Sequence, residues 1–160
     1  MLLKLLASGK QPWSYPQLAL ALEMSASEVH AAVKRCTEAG LYNPVTRQPQ
    51  RKALQEFLVH GLRYVFPAQL GPPVQGLPTS FAAPPLNRKL RFDAHEIPVM
   101  PLHGGPARGP EIRPLYRSAP AAAAKDSKLY ELLSLLDALR SGRARERKLA
   151  VDALAEVFSR

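Results

Sequence analysis

Ser25, Ser27, His30, Lys34 and Arg35 fall within eleven residues of one another, at intervals of one to four. On an α-helix, spacings of three and four bring side chains to a common face. A face built from hydroxyl, imidazole, ammonium and guanidinium groups can hydrogen-bond phosphate oxygens and the acceptor atoms on base edges. The free N–H groups at the start of such a helix add a further seat for phosphate. Ala31 lies among these residues, and Glu38 follows as an ordinary surface residue. The plainer alternative for the same set is a solvated helix face.

Further basic residues could flank that helix. Arg47, Arg51 and Lys52 come shortly after it and could clamp a phosphate backbone. Arg88, Lys89 and Arg91 form a compact cluster, which reads equally as an arm along a groove or as a solvated strand face. Arg140, Arg143, Arg145, Arg147 and Lys148 are offset by Asp137, Glu146 and Asp152, and are expected to form a salt-bridged helix surface.

The charge balance agrees with a polyanionic partner. The 160 residues carry 22 Lys plus Arg against 13 Asp plus Glu, a net charge of +9. The excess lies in front: residues 1–75 hold 8 basic and 4 acidic groups, residues 76–125 hold 7 and 3, and residues 126–160 hold 7 and 6. Each phosphate such a surface neutralises releases counterions, which favours nucleic acid.

Catalytic chemistry finds little support. His30, His60, His95 and His103 are far apart, and no pair has the four-residue spacing of a helical zinc site. Asp93, His95 and Glu96 read as a polar turn before a metal or acid–base cluster. The glycines at 104, 105 and 109 lack the strand–loop–helix setting and the Gly-Lys-Ser ending of a phosphate loop. Cys36, the single cysteine, reads as a small core residue and permits no disulfide within the chain. We therefore expect no enzyme activity, no metal and no cofactor. The start Met-Leu-Leu-Lys-Leu-Leu is too short for a signal segment, and no run approaches the ~20 apolar residues of a membrane span. A cytoplasmic location without membrane contact is expected.

The elements that position these residues follow from pattern. Leucines at 2, 3, 5 and 6 predict a helix over residues 1–7. Ser14 with Gln17, and Ser25 with Glu28, are capping boxes that open two further helices; the second runs to about residue 39, before Gly40. Its buried face is expected to be Val29, Ala32, Val33 and Cys36. A polar turn over 43–50 precedes a fourth helix, about 50–60. Residues 62–66 have strand character, and residues 74–81 could return beside them as a β-wing. Twelve of the sixteen prolines lie between Pro67 and Pro120, so residues 82–125 are expected to be extended, draping Leu86, Phe92, Ile97, Val99, Leu102, Ile112, Leu115 and Tyr116 over the fold. Asp126 caps a leucine-striped helix through residues 129–139, and a second helix over 144–158 completes an αα-hairpin. The reading is a mainly α (α+β) chain in three parts, 1–81, 82–125 and 126–160.

The stretch from Ser14 to Leu41 resembles the helix-turn-helix of winged-helix bacterial transcription regulators of the broad MarR-like kind. Leu18 and Leu22 stand where the bracing helix packs inward, Met24-Ser25 at the turn and cap, and Val29 and Val33 on the buried side of the recognition helix. Glu23 stands where the turn often has glycine, and Cys36 where leucine is usual. An extra helix, Arg51 to His60, is expected between the recognition helix and the wing. Residues 63–68 and 129–147 are similar to a MarR-labelled subgroup encoded beside nucleotidyltransferase-type toxins. The resemblance implies a DNA-binding regulator, a repressor before an activator, with its recognition helix around 26–39. It implies a homodimer on double-stranded DNA; the first helix and the C-terminal helix pair are the candidate pairing elements, because their leucine stripes exceed what a ~75-residue core should need. The alternative is a protein-interaction module, such as an antitoxin that neutralises a toxin partner.

Overall fold

The computed structural model describes residues 1–92 and 97–159. Its helices begin where side chains can take up the free N–H groups of a first turn. Helix α1 spans Leu2–Ser8, α2 spans Tyr15–Leu22 and α3 spans Ala26–Glu38. Both expected capping boxes form, Ser14 with Gln17 and Ser25 with Glu28. Glu23 ends α2 in the left-handed region (φ 54°), the position at which glycine is usual.

A two-stranded hairpin follows α3 at once. Strand β1 (Tyr42–Asn43) pairs antiparallel with β2 (Gln48–Pro49). Asn43 Oδ1 accepts from the Val45 and Thr46 amides (2.9 and 3.2 Å), which closes its loop. The expectation that a helix precedes the hairpin is thus corrected: the hairpin comes first.

The strand expected over 62–66 is also corrected. Helix α4 (Arg51–Glu56) runs through a π turn at Phe57–Gly61 into α5 (Leu62–Val65). Leu54, Leu58 and Leu62, four residues apart, are all buried. That helical spacing outweighs the local β preference of the Leu-Arg-Tyr-Val-Phe segment, and Gly61 is carried inside the helix instead of ending it. No hairpin therefore joins 62–66 to 74–81.

The proline-rich part is more structured than its composition suggests. Strand β3 (Leu70–Pro78) pairs antiparallel with both β4 (Val99–Pro101) and β5 (Ala107–Ile112), and β4 meets β5 in parallel at Val99 and Glu111, so the three strands close on themselves. Pro78 and Pro101 close β3 and β4, and Pro72 lies where the β3–β5 register shifts between Leu70 and Pro73; Pro110 sits within β5, opposite Pro73. Gly109 is required by close approach, since a Cβ there would overlap the Ile97 carbonyl oxygen. Leu86, Val99 and Ile112 are fully buried as expected, whereas Phe92 and Tyr116 remain substantially exposed. Helix α6 (Ala119–Lys125) occupies residues expected to be extended, with Pro120 in its first turn.

Helix α7 (Ser127–Ser141) begins at Asp126, whose carboxylate accepts from the Lys128 and Leu129 amides (3.0 and 3.1 Å). The next helix, α8, spans Ala144–Ser159 and packs back on α7. A stripe was expected on α7; instead every residue from Leu132 to Leu139 is buried. A helix covered on all sides is a core helix. It contacts α1, α5, α6 and α8, so one apolar cluster runs from Leu2 and Leu5 through Val29 and Leu58 to Leu136 and Leu154. The leucines of α1 and α7 offered as a pairing surface are used within the chain.

The last turns of α7 also carry an ion pair. Asp137 and Arg140 have side chains 3% and 4% exposed and meet at 2.8 Å. This pair was expected on a helix surface and lies in the interior. Thr79 Oγ1 donates to the other Asp137 oxygen (2.7 Å), and Arg140 also donates to the carbonyls of Phe66 (2.9 Å) and Arg113 (3.0 Å). Burial outweighs the Arg140 and Thr79 contacts and pushes the Asp137 carboxyl up to about 6 from an ordinary 3.8. Between those values the folded carboxyl keeps a proton that the unfolded one has lost. Stability should therefore fall as pH rises through this window, then level off above it. Urea denaturation from pH 4 to 7 should show that slope for the wild type and a flatter one for Asp137→Asn. Arg140→Ala, which strands a buried carboxylate, should cost about 3–5 kcal/mol near neutral pH.

Candidate nucleic-acid interface

Helix α3 is long enough to present one side inward and one outward. Val29, Ala32 and Val33 are buried and Cys36 is half-buried, as the spacing required. Ser27, His30, Ala31, Lys34, Arg35 and Glu38 are exposed. The cap fixes how the helix begins. The Ser25 amide donates to Glu28 Oε2 (2.8 Å) and the Glu28 amide donates to Ser25 Oγ (3.2 Å), while Ser25 Oγ and Ser27 Oγ lie 3.0 Å apart. His30 stacks flat on Tyr15 of α2, with ring centroids 3.6 Å apart. This stacking holds one of the expected contact residues in place. Lys34 lies 4.0 Å from Glu38, a loose pair on an open surface that contributes little.

The structure brings Arg47 close to this unit. Arg47 sits in the β1–β2 loop at φ 55°, with its guanidinium 4.5 Å from the centre of the Trp13 ring. It donates to the Trp13 carbonyl (3.1 Å), and Trp13 Nε1 donates back to the Arg47 carbonyl (3.2 Å). Trp13 meets Tyr15 and Tyr42 edge-on. An aromatic cluster thus ties the hairpin to the start of α2 and, through Tyr15, to His30 on α3.

The other basic residues divide. Lys52 is exposed on α4. Arg51 is tied elsewhere: it donates to the Val157 carbonyl (2.7 Å) and lies over the Phe158 ring, which anchors the end of α8. Arg88 and Lys89 are exposed at a 3₁₀ turn that packs on α8 and on the turn at Ser80–Ala82. Arg91 is exposed beyond it. Asp93, His95 and Glu96 lie outside the described residues. Among the described residues no group of three metal-ligating side chains occurs, and no helix is long and apolar enough to cross a membrane.

Sequence reasoning missed a latch on α3. Glu28 Oε1 accepts from the Tyr116 hydroxyl and pairs with Arg117 (2.8 Å), and Lys125 of α6 pairs with Glu23 in the turn before α3. Ser118 Oγ donates to the Leu22 carbonyl (2.6 Å). These partners lie 88–102 residues apart, so no local pattern announces them. The Tyr116 hydroxyl first, then the Ser25 amide and hydroxyl, hold the Glu28 carboxyl down at about 2. The negative charge at the helix start also suits its dipole.

A carboxyl with a depressed value stabilises the fold above its ordinary 4.5 and loses that contribution as pH falls toward 2. In Tyr116→Phe, the Glu28 carboxyl should titrate closer to 4.5, measured by carbon-13 NMR of the side-chain carboxyl. Ser25→Ala should cost about 1 kcal/mol by removing the cap. No known protein family, no curated protein and no solved structure matches this chain.

Proposed function

We propose that the chain is a sequence-specific double-stranded-DNA-binding regulator of the winged helix-turn-helix kind, acting as a repressor, with α3 as its recognition helix. The observation that carries this reading is the outward face of α3. It is a capped helix on a short bracing helix, with Ser27, His30, Ala31, Lys34 and Arg35 all open to solvent. A helix so presented suits a major groove roughly 12 Å wide. Lys34 and Arg35 would meet phosphates or guanine edges, and Ser25, Ser27 and His30 would face bases near the helix start. The β1–β2 hairpin, with Arg47 in its loop, stands in the place of a wing and could follow the adjacent backbone. Lys52 would add a phosphate contact from α4. Arg51, tied to Val157 and Phe158, and Arg88 and Lys89, on the α8 side, fit this role less well. The net charge of +9 supports a polyanionic partner. A homodimer would set two recognition helices about 34 Å apart on a pseudo-palindrome. The cytosol is where such a protein would work.

One observation favours a second reading, an interaction module such as an antitoxin that holds a toxin. Tyr64, Val65, Phe66 and Leu70 form a run of large apolar side chains 44–72% exposed. Clusters of this kind mark protein-binding surfaces. An antitoxin that represses its own operon would use both faces.

An electrophoretic shift on the fragment upstream of its own gene, with competitor DNA at two salt concentrations, tests the first reading. A discrete, competitor-resistant shift that weakens steeply with salt is expected. Lys34→Ala with Arg35→Ala should abolish it and leave the circular dichroism unchanged. A shift that survives the double substitution would remove α3 from the role. No shift at either salt concentration would favour the interaction module.

A further inference from the structure

The nearly buried Arg140 lines a cleft that opens to solvent away from the outward face of α3. Val65, Phe66 and Pro67 line it from the end of α5, and residues 113–117 line it from the segment before α6. Arg140 donates to the Phe66 carbonyl (2.9 Å) and to the Arg113 carbonyl (3.0 Å), so one guanidinium holds both walls. A site fixed before its occupant arrives loses less entropy on binding. The exposed apolar run beside it is continuous with it. Leu62 is buried, and residues 63–67 after it are all exposed. Val65 and Phe66 belong to the run and to the cleft alike. At Gly71 an added Cβ would come 3.2 Å from the Glu111 Cβ, which sets the start of β3, with Leu70, against the lining.

The charge around this surface is mainly positive. The Arg63 guanidinium lies 5.0 Å from the centre of the Tyr64 ring, and Arg113 and Arg117 line the cleft. Arg63 and Arg113 make no salt bridge among the described residues, and Glu111 is the carboxylate set against them. A two-fold contact repeats one surface on both sides, so a second copy would bring these arginines against their own kind. Stacked bases would use Tyr64 and Phe66 but would leave Val65 and Leu70 without an apolar partner. We infer that the cleft and the run beside it dock a segment of another protein that carries large apolar side chains next to aspartate or glutamate. Its apolar groups would cover Tyr64, Phe66 and Leu70, and its carboxylates would meet Arg63 and Arg113. This inference rests on the interaction-module reading and not on DNA binding.

The test presents the full chain to a display library of random peptides, each about a dozen residues long, and measures the affinity of the retained peptides by fluorescence anisotropy. The retained set should be rich in Asp and Glu beside Leu, Phe or Trp. Tyr64→Ser with Leu70→Ser, at two exposed positions, should weaken these peptides about tenfold or more and leave the circular dichroism unchanged. Arg113→Glu should weaken them too and should shift a fresh selection toward Lys and Arg. A wild-type set that is basic or uncharged would overturn the acidic assignment. Peptides indifferent to all three substitutions would overturn the site and leave the interaction-module reading standing, whereas no retained peptide at all would overturn both. Sedimentation of the wild type as a dimer, with the double variant monomeric, would show that a second copy covers the surface and would overturn the partner. Oligothymidine bound more tightly than any peptide, and lost in the same variant, would overturn it in favour of single-stranded nucleic acid.

Discussion

Arg140 joins parts of the chain that no run of local sequence connects. Its guanidinium reaches Asp137 one turn back on α7, the Phe66 carbonyl where α5 ends, and the Arg113 carbonyl just past β5. Asp137 in turn accepts from Thr79, where β3 gives way to a turn. Helical and sheet parts therefore share one polar centre inside an apolar core. Arginine suits this place because its planar fork supplies five donors in fixed directions and stays charged. Taking such a pair out of water costs several kcal/mol per ion, and the added hydrogen bonds offset that cost. The pair ties the end of α5, at Phe66, to the residue that follows β3, Thr79.

Around this centre the packing is helical. Because α7 is covered on all sides, the other elements are arranged about it: α1, α5 and α6 against it, α8 folded back along it. The helix that faces outward, α3, is held at one remove. Its inner residues join the same core, while Glu28 of its capped first turn is also held by Tyr116 and Arg117 from the segment between β5 and α6.

What could be read from the sequence was what local chemistry decides. Ser14, Ser25 and Asp126 announced three helix starts, and the 29–32–33 spacing gave the inner side of α3. The exposed side of that helix followed by subtraction. What could not be read was decided at a distance. Residues 62–66 look like a strand by composition and are helical because Leu62 completes a buried row with Leu54 and Leu58. The leucines of α7 look like one stripe, and only the packed chain reveals that the positions between them are covered as well. Arg51 looks like its neighbour Lys52, yet it is taken up by the end of α8, 106 residues away. The closed three-strand unit was hidden because prolines in and beside its strands resemble prolines in loops.

The latch on Glu28 bears on how far the first third of the chain can be treated as a cassette. Residues 1–66 contain α1 through α5 and every residue of the outward face of α3, so they look like a transplantable unit. Yet the first turn of α3 borrows its phenol and guanidinium from residues 116 and 117, and α1 and α5 rest on α7. A fusion or swap that kept only the front segment would carry the helix with its cap but without the distant groups that hold Glu28. Contacts this remote in sequence also raise the contact order of the fold. Closing the latch means closing a loop of nearly ninety residues, a cost that an isolated helix pair does not meet.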